Sequence, residues 1–182
     1  EDVDVGGIRV QLTRHVQSFF QGNRYLLAPL VAHVMGLLPL RSRVIDLYAG
    51  VGLFGLAAAA ARQALVASVE DEPHAAADLE ANARAVGGVE VCHQSVESFL
   101  ARRRPAPDVV ILDPPRTGVS REAMARLIEL AAPRLVYVSC DVATLARDTR
   151  RLVDAGYALE AVKAFDLFPH TPHVESVAIL RH

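Results

Sequence analysis

From Arg43 onward the chain alternates between two hydrophobic patterns. Short, nearly uninterrupted apolar runs rich in β-branched residues occupy 44–47, 65–69, 89–92, 109–112 and 135–138. Between them lie segments with helical spacing at about 54–62, 74–86, 121–131 and 142–154, and a shorter one near 96–103. A strand buried on both faces has no polar side to alternate. Continuous runs joined through helices therefore predict a parallel sheet covered on both faces, an α/β doubly wound fold. The rhythm changes near the C-terminus. Tyr157 to Phe165 and Val174 to Leu180 are two strand patterns whose connection has no room for a crossover helix, so they are expected to pair antiparallel. The sheet is then mostly parallel with one reversed C-terminal strand. Residues 1–42 are expected to supply a hairpin within Ile8 to Gln17 and a lead-in helix at about 24–38, with 43–182 forming the core unit.

The composition narrows the class. At 182 residues, 52% of them apolar, the chain reads as one globular domain rather than a disordered segment. A net charge of −2 gives no bulk attraction for nucleic acid. The arginines at 102–104 and at 147, 150 and 151 read as solvated helix faces. Two cysteines, Cys92 and Cys140, make neither a disulfide framework nor a four-thiolate site, and no metal centre is expected. Without an apolar run of spanning length or a charged-then-apolar leader, the expectation is a cytoplasmic protein with no membrane partner. The chain opens on Glu1 rather than methionine, which suggests a longer parent chain.

Candidate chemistry gathers where strands end. The first core strand runs into Tyr48-Ala49-Gly50-Val51-Gly52, a glycine turn that lets the backbone approach a ligand at a helix N-terminus. The pattern lacks the third glycine of a nicotinamide-binding loop. The second strand ends at Glu70, whose carboxylate can accept the hydroxyls of an adenosine ribose, while Asp71 is expected to cap the helix entered at Pro73. The fourth ends in Asp113-Pro114-Pro115-Arg116-Thr117-Gly118, a stiff edge above the sheet. The fifth ends in Ser139-Cys140-Asp141 ahead of a helix, where the positive end of the dipole favours a thiolate. Cys92 reads as core. Glu175 shares a strand face with Val177 and Ile179, an apolar setting that raises a carboxylate's pKa and suits it to proton transfer.

The strings FFQGN (19–23), DLYAGVGLFG (46–55), VILDPPRTG (110–118), SCD with TLARD (139–148) and DLFPHTPHVE (166–175) together resemble the bacterial RNA uracil-5-methyltransferase family. They occur in that family's order and span nearly the whole chain. The resemblance implies a class I methyltransferase fold, S-adenosyl-L-methionine as cofactor, and a structured rRNA or tRNA as substrate. It also implies an RNA-binding domain on the N-terminal side of the full-length chain. Cys140 matches the nucleophile and Glu175 the base that removes the carbon-5 proton. Gln21, Tyr48, Glu70 and Asp113 match positions lining the cofactor or active site, beside Gly50 and Gly52. Ser95 stands where an Asp or Asn is usual near the adenine.

The sequence departs from the family pattern at Asp141-Val142, where Asn-Pro is usual, and at Leu53, where an amide side chain is common. The Asp141 charge is expected to oppose thiolate formation at Cys140. Two other readings stay open on the residues. One is an amino-methylating enzyme, which shares an Asp-Pro-Pro string and needs no cysteine. The other is a domain that binds RNA or cofactor without turnover.

Overall fold

A computed structural model describes residues 2–16, 23–102 and 105–182. Two short strands, β1 (Asp2–Val5) and β2 (Ile8–Gln11), precede helix α1 (Arg24–Gly36). Then follow β3 (Arg43–Leu47), α2 (Leu53–Arg62), β4 (Leu65–Glu70), α3 (Pro73–Val86), β5 (Val89–His93) and α4 (Val96–Leu100). The chain continues through β6 (Val109–Leu112), α5 (Arg121–Leu130), β7 (Arg134–Ser139), α6 (Val142–Asp154), β8 (Ala158–Phe165) and β9 (Glu175–Arg181).

Seven strands form one sheet in the order β5-β4-β3-β6-β7-β9-β8. The first five are parallel, and β9 lies antiparallel to both β7 and β8. The α/β doubly wound reading therefore holds, and the reversed strand β9 sits inside the sheet with β8 at its edge. Side chains of β6 show why its run is wholly apolar. Val109 and Ile111 face the layer of α1 and α2, while Val110 and Leu112 face α4, α5 and α6. All four are fully buried. Such a strand has no solvent side on which to place a polar residue.

The hairpin is offset from its expected position. Asp2–Val5 pairs with Ile8–Gln11 around Gly6 and Gly7, both at positive φ, and residues 12–16 leave the strand. Val3, Val5 and Val10 pack into the core on the α1 side. The stretch beyond β2 is tied to α3 instead of returning as a strand. Thr13 N–H donates to Asn82 Oδ1 at 2.9 Å and His15 N–H to Asp78 Oδ2 at 2.7 Å. Two smaller corrections concern α3 and α4. Glu72, adjacent to Pro73, caps α3 by accepting from Ala75 N–H, because Asp71 lies one residue too far back. Helix α4 stops at Leu100, short of the expected 103.

Gly55, in the first turn of α2, lets that helix lie close on the sheet. A Cβ there would strike Ser68 Oγ and come within 2.8 Å of Asp46 Oδ2. The close approach lets Gly55 N–H donate to Asp46 at 2.8 Å.

Candidate active site

The strand order reverses between β3 and β6, and ligands of open α/β sheets bind outside the carboxyl ends of strands at such a point. Strand register gathers the candidate residues there. Leu47 is level with Val69 and with Leu112, so Tyr48, Glu70 and Asp113 emerge side by side. Leu112 is level with Tyr137, which brings the loop after Asp113 alongside the end of β7. Because β9 is antiparallel, its first residue lies at that same edge. Ser139 pairs with Ser176, so Cys140 and Glu175, the next residues on either side, stand opposite one another. Two residues 35 positions apart are thus brought together by one register.

On the β3–β4 side the glycine turn is tightly determined. Tyr48, Gly50 and Gly52 all have positive φ, at 61°, 55° and 101°. A side chain at Gly52 would come within 2.6 Å of Leu56 and 2.7 Å of Leu79, whereas a Cβ at Gly50 would meet nothing within 4 Å. Glu70 braces the turn from β4. Its Oε2 accepts from Gly50 N–H at 2.7 Å, and its Oε1 accepts from Asp71 and Glu72 N–H at 3.0 and 2.8 Å. A carboxylate offers about four acceptor positions, so one remains on Oε2 for a further hydroxyl. Asn82 supports the turn from α3 by donating to Val51 C=O at 3.0 Å.

On the β6–β7–β9 side the electrostatics are crowded. Burial, then the nearby Glu175 and Asp46, hold the Asp113 carboxyl well above the usual carboxylate range. Asp46 is pushed up to about 7 by burial, partly opposed by the Gly55 hydrogen bond and reinforced by Glu70. The Arg116 guanidinium acts on the Cys140 thiol as a donor and a positive charge, which favours its ionised form. Burial and the charges of Glu175 and Asp113 nevertheless prevail, and the thiol is raised above its ordinary value. This corrects the expectation that a helix N-terminus makes Cys140 a ready thiolate. The one guanidinium is outweighed by desolvation and two acidic neighbours.

The chain around Cys140 is held by its neighbours. Ser139 Oγ accepts from Asp141 N–H and donates to Asp141 C=O, each at 3.1 Å, closing a clasp over the cysteine. The Asp141 carboxylate caps α6 by accepting from Thr144 N–H at 2.8 Å, which lowers its pKa.

The geometry invites comparison with known proteins. The description tRNA (uracil-5-)-methyltransferase matches residues 1–182. The chain belongs to that family. Among its relatives, an uncharacterized RNA methyltransferase of Thermotoga maritima is 40% identical over 90% of this chain. The 23S rRNA (uracil(1939)-C(5))-methyltransferase RlmD of Edwardsiella ictaluri is also 40% identical over 90% of the chain. In both, the matched region is 38% of the relative's length, so the chain spans well under half of these relatives. The tRNA (uracil-54, C5)-methyltransferase of Pyrococcus abyssi, solved with S-adenosyl-L-homocysteine, superposes with a TM-score of 0.85 at 33% identity. That comparison covers 99% of this chain and 44% of the other.

Within this member of the family, the remaining candidates fall in different places. Gln21 lies outside the described residues. Ser95 caps α4, accepting from Ser98 N–H at 3.2 Å, and its hydroxyl also bonds Ser98 Oγ. Three polar residues have no role assigned from the sequence. Arg116 favours ionisation of the cysteine, Asp46 lies buried beneath the glycine turn, and Asp148 is wholly buried on α6. All three stand inside the quoted motifs, Asp148 as the last residue of TLARD, and for Arg116 and Asp46 nearness to the candidate residues of the same motif was the available signal. For Asp148 the motif gave a place but no role, because a charged residue on an arginine-rich helix reads as solvated. Arg147 and Arg151 correct that reading, since both pair with buried Asp148, at 3.0 and 3.3 Å. Among the described residues no three His, Cys, Asp or Glu side chains are grouped to hold a metal ion. None of the described helices is long and apolar enough to cross a membrane.

Proposed function

We propose that this domain transfers a methyl group from S-adenosyl-L-methionine to carbon-5 of a uridine in rRNA or tRNA, through a covalent adduct between Cys140 and carbon-6. The observation that carries the proposal is the β7–β9 register, which sets Cys140 against Glu175 beside Asp113 and Arg116. In the full-length protein, an RNA-binding domain on the N-terminal side would present the substrate.

The residues suit the cofactor. The open space above Gly50 admits a ligand against the turn, and the spare acceptor position on Glu70 can take a ribose hydroxyl. Tyr48 and Asp113 flank the same opening, with Gly52 supporting the turn, and Gln21 and Ser95 are assigned to it by resemblance. When bound, the cofactor supplies an electrophilic methyl group on a sulfonium.

The chain's own groups account for the rest. Carbon-5 of uracil is a poor nucleophile. Addition of the Cys140 thiolate to carbon-6 breaks the ring double bond and turns carbon-5 into an enolate carbon able to take the methyl group. Arg116 favours the thiolate from which addition starts. Glu175 then accepts the carbon-5 proton, the double bond re-forms, and the Cys140 sulfur leaves as thiolate. A protonated Asp113 can donate a hydrogen bond to a uracil carbonyl, a role that its raised pKa supports.

The test uses the full-length protein and its RNA. Cys140→Ala should abolish both methyl transfer and any adduct. Glu175→Gln should still add and methylate, then stall before elimination, so a methylated covalent complex accumulates and survives denaturing electrophoresis. Methyl transfer by Cys140→Ala would overturn the mechanism in favour of amino methylation. Normal turnover by Glu175→Gln would assign the base elsewhere.

A further inference from the structure

The Asp148 carboxylate is buried in full, and both of its oxygens are engaged. Oδ2 accepts from Tyr137 Oη–H at 2.8 Å, Val119 N–H at 2.9 Å and Arg147 Nη2 at 3.2 Å. Oδ1 accepts from Arg147 Nε at 3.0 Å and Arg151 Nη1 at 3.3 Å. Arg147 also donates through Nη2 to Thr117 C=O at 2.8 Å. Two adjacent residues of α6 therefore grip the backbone at Thr117 and Val119, on either side of Gly118.

Gly118 adopts φ 76°, and a Cβ there would collide with Arg147 and Asp148, so the loop backbone lies directly on the pair. Its N–H returns to Pro115 C=O at 2.8 Å, closing the turn that carries Arg116. The residue displayed by this turn is the one whose guanidinium favours ionisation of the Cys140 thiol. Cys140 itself immediately precedes the capping residue of α6. One helix thus carries the cysteine at its start and, about two turns on, the grip on the loop that supplies the cysteine's cationic partner.

We propose that Arg147 and Asp148 are positioning residues, which lock the Pro115–Val119 turn to α6 and so hold the Arg116 guanidinium on the Cys140 thiol. The arrangement makes the Arg116–Cys140 distance a property of one rigid helix and one turn. Movement of the loop or of α6 alone would break it. The inference rests on Cys140 being the nucleophile, but its consequence can be read in the resting protein. Glu175 and Asp113 also face the thiol and disfavour its ionisation, so loss of Arg116 leaves nothing among the groups acting on it to oppose them.

The experiment follows alkylation of Cys140 by iodoacetamide in the full-length protein, without RNA or cofactor. Mass spectrometry of the Cys140 peptide is read across a pH series. Arg116→Ala should move the alkylation profile to higher pH. At a fixed pH below the thiol pKa, displacing the profile by one pH unit slows the reaction about tenfold. Arg147→Ala and Asp148→Asn should move it in the same direction, and Arg147→Ala added to Arg116→Ala should have no further effect. Arg150→Ala, whose exposed side chain pairs with Asp154, should match the wild type. Since the Arg147 side chain is partly exposed and that of Asp148 wholly buried, its variant keeps the test available where Asp148→Asn fails to fold. Wild-type profiles for Arg147→Ala, or full additivity with Arg116→Ala, would overturn the proposal. Failure of the methyl-transfer mechanism is a separate result, seen only as activity of Cys140→Ala.

Discussion

Asp46 offers a sharp physical test, because replacing it by Asn should flatten the dependence of stability on pH. Its carboxyl is buried and titrates at about 7, against an unfolded value of 3.8. Between these values the native state holds a proton that the unfolded chain has released. Unfolding free energy therefore falls as pH rises through this window. The contribution is fully present below 3.8, is lost progressively up to about 7, and is constant above it. Moving from pH 5 to pH 8 crosses roughly two pH units of that window, at ~1.4 kcal/mol each, so about 2–3 kcal/mol is lost through this group. For a chain of this size that is ~5–10 °C in melting temperature. The Asn side chain keeps the shape and an acceptor for Gly55 N–H but does not titrate. An amide that lacks a partner would lower stability equally at every pH, so the slope isolates the effect. The assay is thermal unfolding by circular dichroism at half-unit steps from pH 5 to pH 8. Removing Asp46 also relieves Asp113 of one like charge, which flattens the variant's curve further. Parallel curves for wild type and Asp46→Asn would refute the reasoning.

Two further outcomes follow from the glycine turn and its supports. Glu70→Ala removes the acceptor for Gly50, Asp71 and Glu72 N–H, and should weaken S-adenosyl-L-methionine at least tenfold by calorimetry, the scale of ~1.5–3 kcal/mol for a charge-assisted bond; unchanged affinity would remove Glu70 from the pocket. Gly55→Ala should cost ~1–3 kcal/mol because its methyl collides with Ser68 and Asp46, while Gly36→Ala, which meets nothing within 4 Å, should leave melting unchanged or raise it; equal melting of the two variants would show that α2 can shift away.

The sheet was legible because its strands are buried on both faces, as in β6, where four consecutive apolar residues match the strand bounds residue for residue. The hairpin was misplaced although its signal was present. Gly6-Gly7 between the alternating stretches at 2–5 and 8–11 is a two-residue turn of the sort that closes hairpins, and the alternation that continues toward Gln17 masks it. That Cys140, Glu175, Glu70 and Asp113 gather at one edge of the sheet was legible because each stands at a strand end, where register brings residues together. The ionisation of Cys140 was not. It depends on how many carboxylates surround the thiol, a number fixed by packing among β6, β9 and the Arg116 turn. The role of Asp148 was equally hidden, because the backbone that Asp148 and Arg147 hold, at Val119 and Thr117, is about thirty residues away in the sequence.

The threading of β9 between β7 and β8 has a consequence for synthesis. The five parallel strands, and with them the glycine turn, Glu70 and Asp113, lie in residues that leave the ribosome before Ala155. Strand β7 then presents an unpaired edge of Leu135, Val136, Tyr137 and Val138 until Glu175–Arg181 emerges. The ligand-binding half can condense around its own local contacts. Completion of the catalytic half waits for a strand that must enter between two others, a pairing of long sequence separation and slow closure. A nascent chain arrested before residue 175 would thus combine an exposed apolar edge with a Cys140 that has no Glu175 opposite it. It would be sticky, and would lack one side of the proposed site.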